Sequence, residues 1–198
     1  DLAHRPDPAF ALAITLSAGL LFNIQPMIGK MLLPLVGGAP AVWNVAMAFF
    51  QMALLLGYLV AHLLTRLSPT LHGLAYLAFL LLAYTILPIA LPPGWRPDLA
   101  GSVPLALLGV LIVTVGLPFV ALSLSAPTLQ RLFAQTTHPR ARDPYFLYAA
   151  SNLGSFAGLL AYPLWLESRY SLPDQATLWR NGFTGLIGLV AVALILRG

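Results

Sequence analysis

The chain has no cysteine, and only 8% of its 198 residues are charged. Without cysteine there are no disulfides, no thiolate nucleophile and no thiolate metal site, and the redox compartment cannot be read from the sequence. The shortage of charge excludes more. A soluble domain carries about 25% charged residues to cover its surface. Six Asp+Glu and ten Lys+Arg cannot do that for a chain that is 59% hydrophobic, with a mean hydropathy of +0.85. A soluble globular enzyme is excluded, and so is a disordered chain. The net charge of +4 does not point to nucleic acid, because the basic residues are scattered at the ends of apolar runs. Seventeen Pro and sixteen Gly sit at segment ends and inside those runs, which membrane helices tolerate. The first residue is Asp1 rather than Met, so residues are expected upstream.

What is present is a series of apolar stretches, each near the roughly 20 residues that a spanning helix needs. Six are predicted, over 9–33, 41–64, 71–91, 103–124, 145–166 and 178–196, and no linker between them is long enough for a second domain. The expected fold is an all-α, six-helix membrane bundle in one domain. Short loops rich in Lys and Arg remain cytoplasmic. With the N-terminus inside, Arg5, Arg66, Arg131, Arg140, Arg142 and Arg197 fall on the cytoplasmic side, and Lys30, Arg96, Arg169 and Arg180 on the other. The loop holding Arg131, Arg140 and Arg142 decides the orientation, with both termini cytoplasmic. Trp43, Trp95, Trp165 and Trp179 then form an outer aromatic belt.

Polar residues inside such spans are the candidates for function. In the second span Asn44, Gln51, Tyr58 and His62 are spaced seven, seven and four apart, which keeps them on one stripe. Such a stripe must face protein or water rather than lipid. It reads either as interhelical hydrogen bonding or as the lining of a substrate or proton path, with Asn23 on the same interior side. In the fifth span Tyr145, Tyr148 and Asn152 share a face beside Gly154-x-x-x-Gly158, a spacing that lets helices approach closely. The tyrosines are either core aromatics or a surface for an organic cation. In the first span Asn23, Gln25, Pro26 and Lys30 follow one another, and Pro26 predicts a kink near Asn23. Lys30 either snorkels to the interface or turns inward to pair with an anion or with Glu167. A haem at His62 would need a second buried histidine, and His4, His72 and His138 read as loop or helix-end residues. No catalytic motif is present, and no cofactor or metal is expected.

Two long segments carry a resemblance. QPMIGKMLLPLVGGAPAVWNVAMAFFQMALLLGYLVAH (25–62) and DPYFLYAASNLGSFAGLLAYPLWLE (143–167) are similar to signatures of the membrane part of fused spermidine synthase-like proteins. The helix LPDQATLWRNGFTGLIGLVAVAL (172–194) resembles the one that follows in that family. The resemblance implies a bundle like half of a major facilitator, three helices plus three, in a bacterial inner membrane. In the family a soluble aminopropyltransferase-like domain follows. That domain is not among these 198 residues, so either the sequence stops at its boundary or the membrane part is expected to be a separate subunit, and the resemblance carries synthase chemistry to no residue here. Two functions are expected to compete: a module that handles or transports a small amine or related substrate, and a non-catalytic accessory or scaffold subunit. The expected partners are the bilayer, a soluble synthase-like domain or a larger membrane complex, and a second copy of the chain.

Overall fold

A computed structural model describes residues 6–97 and 102–197, and every regular element among them is helical. His4, Arg5 and the stretch 98–101 of the third loop lie outside the described residues. The chain forms α1 (Pro6–Val36), α2 (Pro40–Leu64) and α3 (Pro69–Tyr84). A long rod follows, made of α4 (Val103–Leu111), a π turn (Ile112–Gly116), α5 (Leu117–Ser123) and α6 (Ser125–Ala134). After a 3₁₀ turn come α7 (Tyr145–Ala161), a second π turn (Tyr162–Leu166) and α8 (Glu167–Arg169), and then α9 (Leu172–Arg197).

Proline explains most of the punctuation. Pro40, Pro69 and Pro173 lie in the first turns of α2, α3 and α9, where an N–H has no helical partner to lose. Ser68 caps α3 by accepting from the Leu71 N–H at 3.4 Å. Ser102 does the same for α4 through Leu105 at 3.5 Å. Inside a rod, proline removes a hydrogen bond and crowds the carbonyl four residues back. Both π turns run up to or across such a residue, Pro118 in one and Pro163 in the other. Widening to an i→i+5 pattern accommodates the ring without ending the helix. α1, by contrast, runs unbroken through Pro26 and Pro34.

Among the described residues, four helices are long and apolar enough to cross a membrane: Pro8–Val36, Pro40–Leu64, Val103–Ala134 and Leu172–Arg197. The span expected over 71–91 is shorter in the structure, because α3 ends at Tyr84 after 16 residues. Pro88, Pro92 and Pro93 follow closely, and the backbone ahead of a proline is biased away from the helical region. The 145–169 rod is long but diluted by Tyr145, Tyr148, Ser151, Asn152 and Ser155.

α1 is the centre of the array, packing on α7, α9, α5 and α6. α2 lies on α4 and α5, and α3 on α5, α6 and α9. The closest approach is α1 against α7. A Cβ on Gly154 would overlap the backbone of Thr15, and one on Gly158 the backbone of Gly19. The rings of Phe10, Phe133 and Phe146 stack edge to face at 5.3–5.4 Å, joining the start of α1 to the end of α6 and the start of α7. At that same end of the array the Arg197 guanidinium donates to the carbonyl of Pro69 at 2.9 Å.

Candidate functional site

The cavity with the richest chemistry is an open cleft of about 470 Å³ between α1, the start of α2 and the π turn of the 145–169 rod. Lys30 sits one turn beyond Pro26 on α1, and Glu167 follows directly after the π turn around Pro163. The Lys30 ammonium is 3.3 Å from Glu167 Oε1 and also donates to the Glu167 carbonyl at 3.4 Å. The pair is half-exposed, with side chains 36% and 46% accessible. In that setting it contributes at most about 1 kcal/mol to stability, so its partners are exchangeable. Gln25 lines the same cavity. Trp43 completes one wall because Gly29 has no side chain: a Cβ there would stand 3.3 Å from the indole. Tyr162 forms part of the floor; it is buried, and its hydroxyl has no hydrogen-bond partner. A buried polar atom without a partner is uncommon enough to require a cause.

Among the residues singled out in the sequence, the structure brings Gln25 and Lys30 together in this cavity, whereas Asn23 lines a separate groove between α1, α7 and α9. The Asn23 amide donates to the Gly158 carbonyl at 3.3 Å, across the close α1–α7 contact. The α2 stripe is a correction. Asn44, Gln51, Tyr58 and His62 are all exposed, pointing out of the array rather than into it. The buried face of α2 is Val42, Ala46, Phe49, Phe50, Ala53, Gly57 and Ala61. Gly57 packs on Ser123 so closely that a Cβ would overlap it. The physical reason is that spacing fixes which residues share a stripe but not which way the stripe faces. On α7 the outcome is the same: Tyr145 is 75% exposed, Tyr148 52%, and Asn152 is exposed too. The two tyrosine rings lie 6.1 Å apart on the outside of the array.

Other polar residues are buried where little in the sequence foretells it. His72 keeps its helix-end position, in the first turn of α3, but is buried there, 3.4 Å from the Thr128 hydroxyl. One turn on, the Tyr76 hydroxyl donates to Ser125 Oγ at 2.7 Å. The signal was a pair spaced by four on α3 facing a pair spaced by three on α6, visible only once the two helices are placed side by side. The Trp179 indole donates to the Leu20 carbonyl at 3.0 Å. Gln175 is buried, donates to the Tyr170 carbonyl at 2.9 Å, and leaves its own oxygen without a partner. A further signal lay in the sequence itself. Pro40 and Pro144 are 104 residues apart, and so are Pro69 and Pro173. The same offset aligns Ala46, Ala53, Leu55, Leu56 and Tyr58 with Ala150, Ala157, Leu159, Leu160 and Tyr162.

Chemically, the cavity offers one cation, one anion, an amide, an indole face and a buried phenol. It has no activated nucleophile. Among the described residues no three His, Asp or Glu side chains come together as metal ligands. The arrangement can hold a small charged solute by exchanging it for one half of the Lys30–Glu167 pair. Compared with known protein families, curated proteins and solved structures, the chain matches none of them.

Proposed function

We propose that this chain is an integral membrane module that handles or transports a small amine or related solute. The supporting observation is the Lys30–Glu167 pair at the mouth of a cavity shared by α1, α2 and the 145–169 rod. With Glu167 beside Gln25 and Trp43, an ammonium has an anion, an amide oxygen and an aromatic face within one cavity. In this reading all six rods span a bacterial inner membrane with both termini cytoplasmic. They form two three-helix units of the kind found in half of a major facilitator, and the 104-residue offset between Pro40–Tyr58 and Pro144–Tyr162 supports that division. Kinship with the membrane part of fused spermidine synthase-like proteins belongs to the same proposal, with a soluble synthase-like domain as partner.

Calorimetry of the purified chain with putrescine and spermidine tests the reading. The expected affinity is about millimolar to micromolar, since one exchangeable carboxylate and one or two cation–π contacts supply no more. Glu167→Gln is expected to weaken it at least tenfold. Binding that is unchanged in Glu167→Gln would place the amine elsewhere.

A specific observation favours a second reading, that of an accessory or scaffold subunit in a larger membrane complex. The side chains of the exposed polar stripe on α2 have no hydrogen-bond partner among the described residues. In a bilayer such a stripe requires a protein or water neighbour. No amine binding together with stable co-purification of a membrane partner would select this reading.

A further inference from the structure

A second cavity, separate from the Lys30–Glu167 site, runs along the opposite side of the α1–α7 contact. It is an open groove of about 580 Å³ between α1, α7 and α9. That is within the usual range of a ligand site. On α1 its wall extends from Leu12 to Asn23, about 16 Å of helix rise. The wall is apolar for most of that length, with Leu16 and Leu189 among its sides. Its floor is formed where Gly154 and Gly158 meet α1.

One end differs. Trp165, Trp179 and Gln175 line it together, near the start of α9. Gln175 is only 3% exposed, and its amide N–H already donates to Tyr170. Its oxygen is buried and unpaired. The missing partner must therefore be a donor. Arg169 stands over the Trp165 ring at 5.9 Å and adds a cation beside the same end. An apolar channel with aromatic residues, an unpaired acceptor and an arginine at one end has the complementarity of a phospholipid: acyl chain along α1, phosphate toward Arg169, headgroup donor on Gln175.

We propose that this groove binds a phospholipid whose headgroup carries a primary ammonium. A choline headgroup has no N–H or O–H and leaves the Gln175 oxygen unsatisfied. An ethanolamine headgroup supplies a charged donor, and charge-assisted hydrogen bonds are the stronger kind.

Native mass spectrometry of the full chain in detergent tests this, with ethanolamine, choline and glycerol phospholipids of identical acyl chains added in equal amounts. The ethanolamine adduct is expected to exceed the choline adduct by roughly tenfold or more, the scale of one hydrogen bond to a charged group. Gln175→Met is expected to bring the two to parity. Gln175→Glu, which keeps an acceptor and adds charge, is expected to retain or raise the preference, and it serves if the methionine variant does not fold. Ala157→Phe fills the groove from an exposed position and is expected to lower every adduct. Equal ethanolamine and choline adducts on the unaltered chain would overturn the proposal. So would a preference that survives Gln175→Met, or a glycerol adduct that exceeds the ethanolamine one.

Discussion

Gly158 and Gly19 meet backbone to backbone: a Cβ at Gly158 would overlap the Gly19 peptide, and nothing flexible stands between them. One turn earlier Gly154 meets Thr15 in the same way. The two contacts fix the crossing of α1 and α7, and both cavities lie along that crossing. Because the clash would be with backbone, the helices must separate to admit even a methyl group. Gly154→Ala and Gly158→Ala are each expected to destabilise the chain by about 1–3 kcal/mol or more. Gly109→Ala, where nothing lies within 4 Å of the added methyl, is expected to be neutral or slightly stabilising. Detergent-denaturation midpoints compare the three. Equal effects at Gly158 and Gly109 would show that the crossing is looser than described.

The buried pairs between α3 and α6 lead to a second expectation. Tyr76 donates to Ser125 at 2.7 Å, and His72 lies 3.4 Å from Thr128 one turn away. Side-chain hydrogen bonds in membrane helices contribute about 0.6 kcal/mol on average, reaching about 1.7. Tyr76 and Ser125 are both fully buried, so the upper part of that range applies. Tyr76→Phe is expected to cost about 1–1.5 kcal/mol. The double variant Tyr76→Phe with Ser125→Ala is expected to cost less than the two single changes together, because each single change strands the other partner. Strict additivity in the double-mutant cycle would mean that the bond contributes nothing.

These pairs also show where the sequence stops being informative. The helices themselves were legible, since long apolar runs bounded by Pro40, Pro69 and Val103 can form little else. So was the intimacy of α7, because Gly154 and Gly158 at a spacing of four signal close approach. The direction of the α2 stripe was not. In a soluble helix the polar face is the outer one, but in a membrane helix the buried and lipid-facing sides are both apolar. Asn44, Gln51 and Tyr58 therefore marked a stripe without marking a direction. The buried places of His72 and Gln175 depend on which helices become neighbours. The Lys30–Glu167 pair was readable only as one of two options, because it joins residues 137 positions apart.

The outward direction of Asn44 and Gln51 has a measurable consequence for the isolated chain. Neither side chain holds another part of this chain, so Gln51→Leu is expected to change its stability by no more than about 0.5 kcal/mol. Gly57→Leu, on the buried face against Ser123, is expected to prevent normal packing. Unfolding in detergent should separate the two variants widely. If Gln51→Leu destabilised the chain as much as Gly57→Leu, α2 would have to be rotated from the orientation described.

The orientation expected in the membrane follows from the charge at the two ends of the array. The Phe10–Phe133–Phe146 stack and the Arg197–Pro69 bond gather the start of α1, the α2–α3 turn, the α6–α7 loop and the end of α9 at one end. That end carries Arg66, Arg131, Arg140, Arg142 and Arg197. Lys30, Arg96, Arg169 and Arg180 belong to the other. Counted alone the difference is small, but Lys30 is neutralised by Glu167, and Arg140 and Arg142 lie within one short loop. Positive residues in short loops are retained in the cytoplasm. The native chain has no cysteine, so single cysteines report cleanly. Ser68 and Thr137 are exposed at the arginine-rich end, and Ser102 is exposed at the start of α4. A membrane-impermeant maleimide is expected to label Ser102→Cys in intact cells. Ser68→Cys and Thr137→Cys should react only after permeabilisation. If Ser102→Cys labelled from the same side as Ser68→Cys while Thr137→Cys labelled from the other, α3 would not cross the membrane, and the six-span reading would give way to one in which α3 enters and returns.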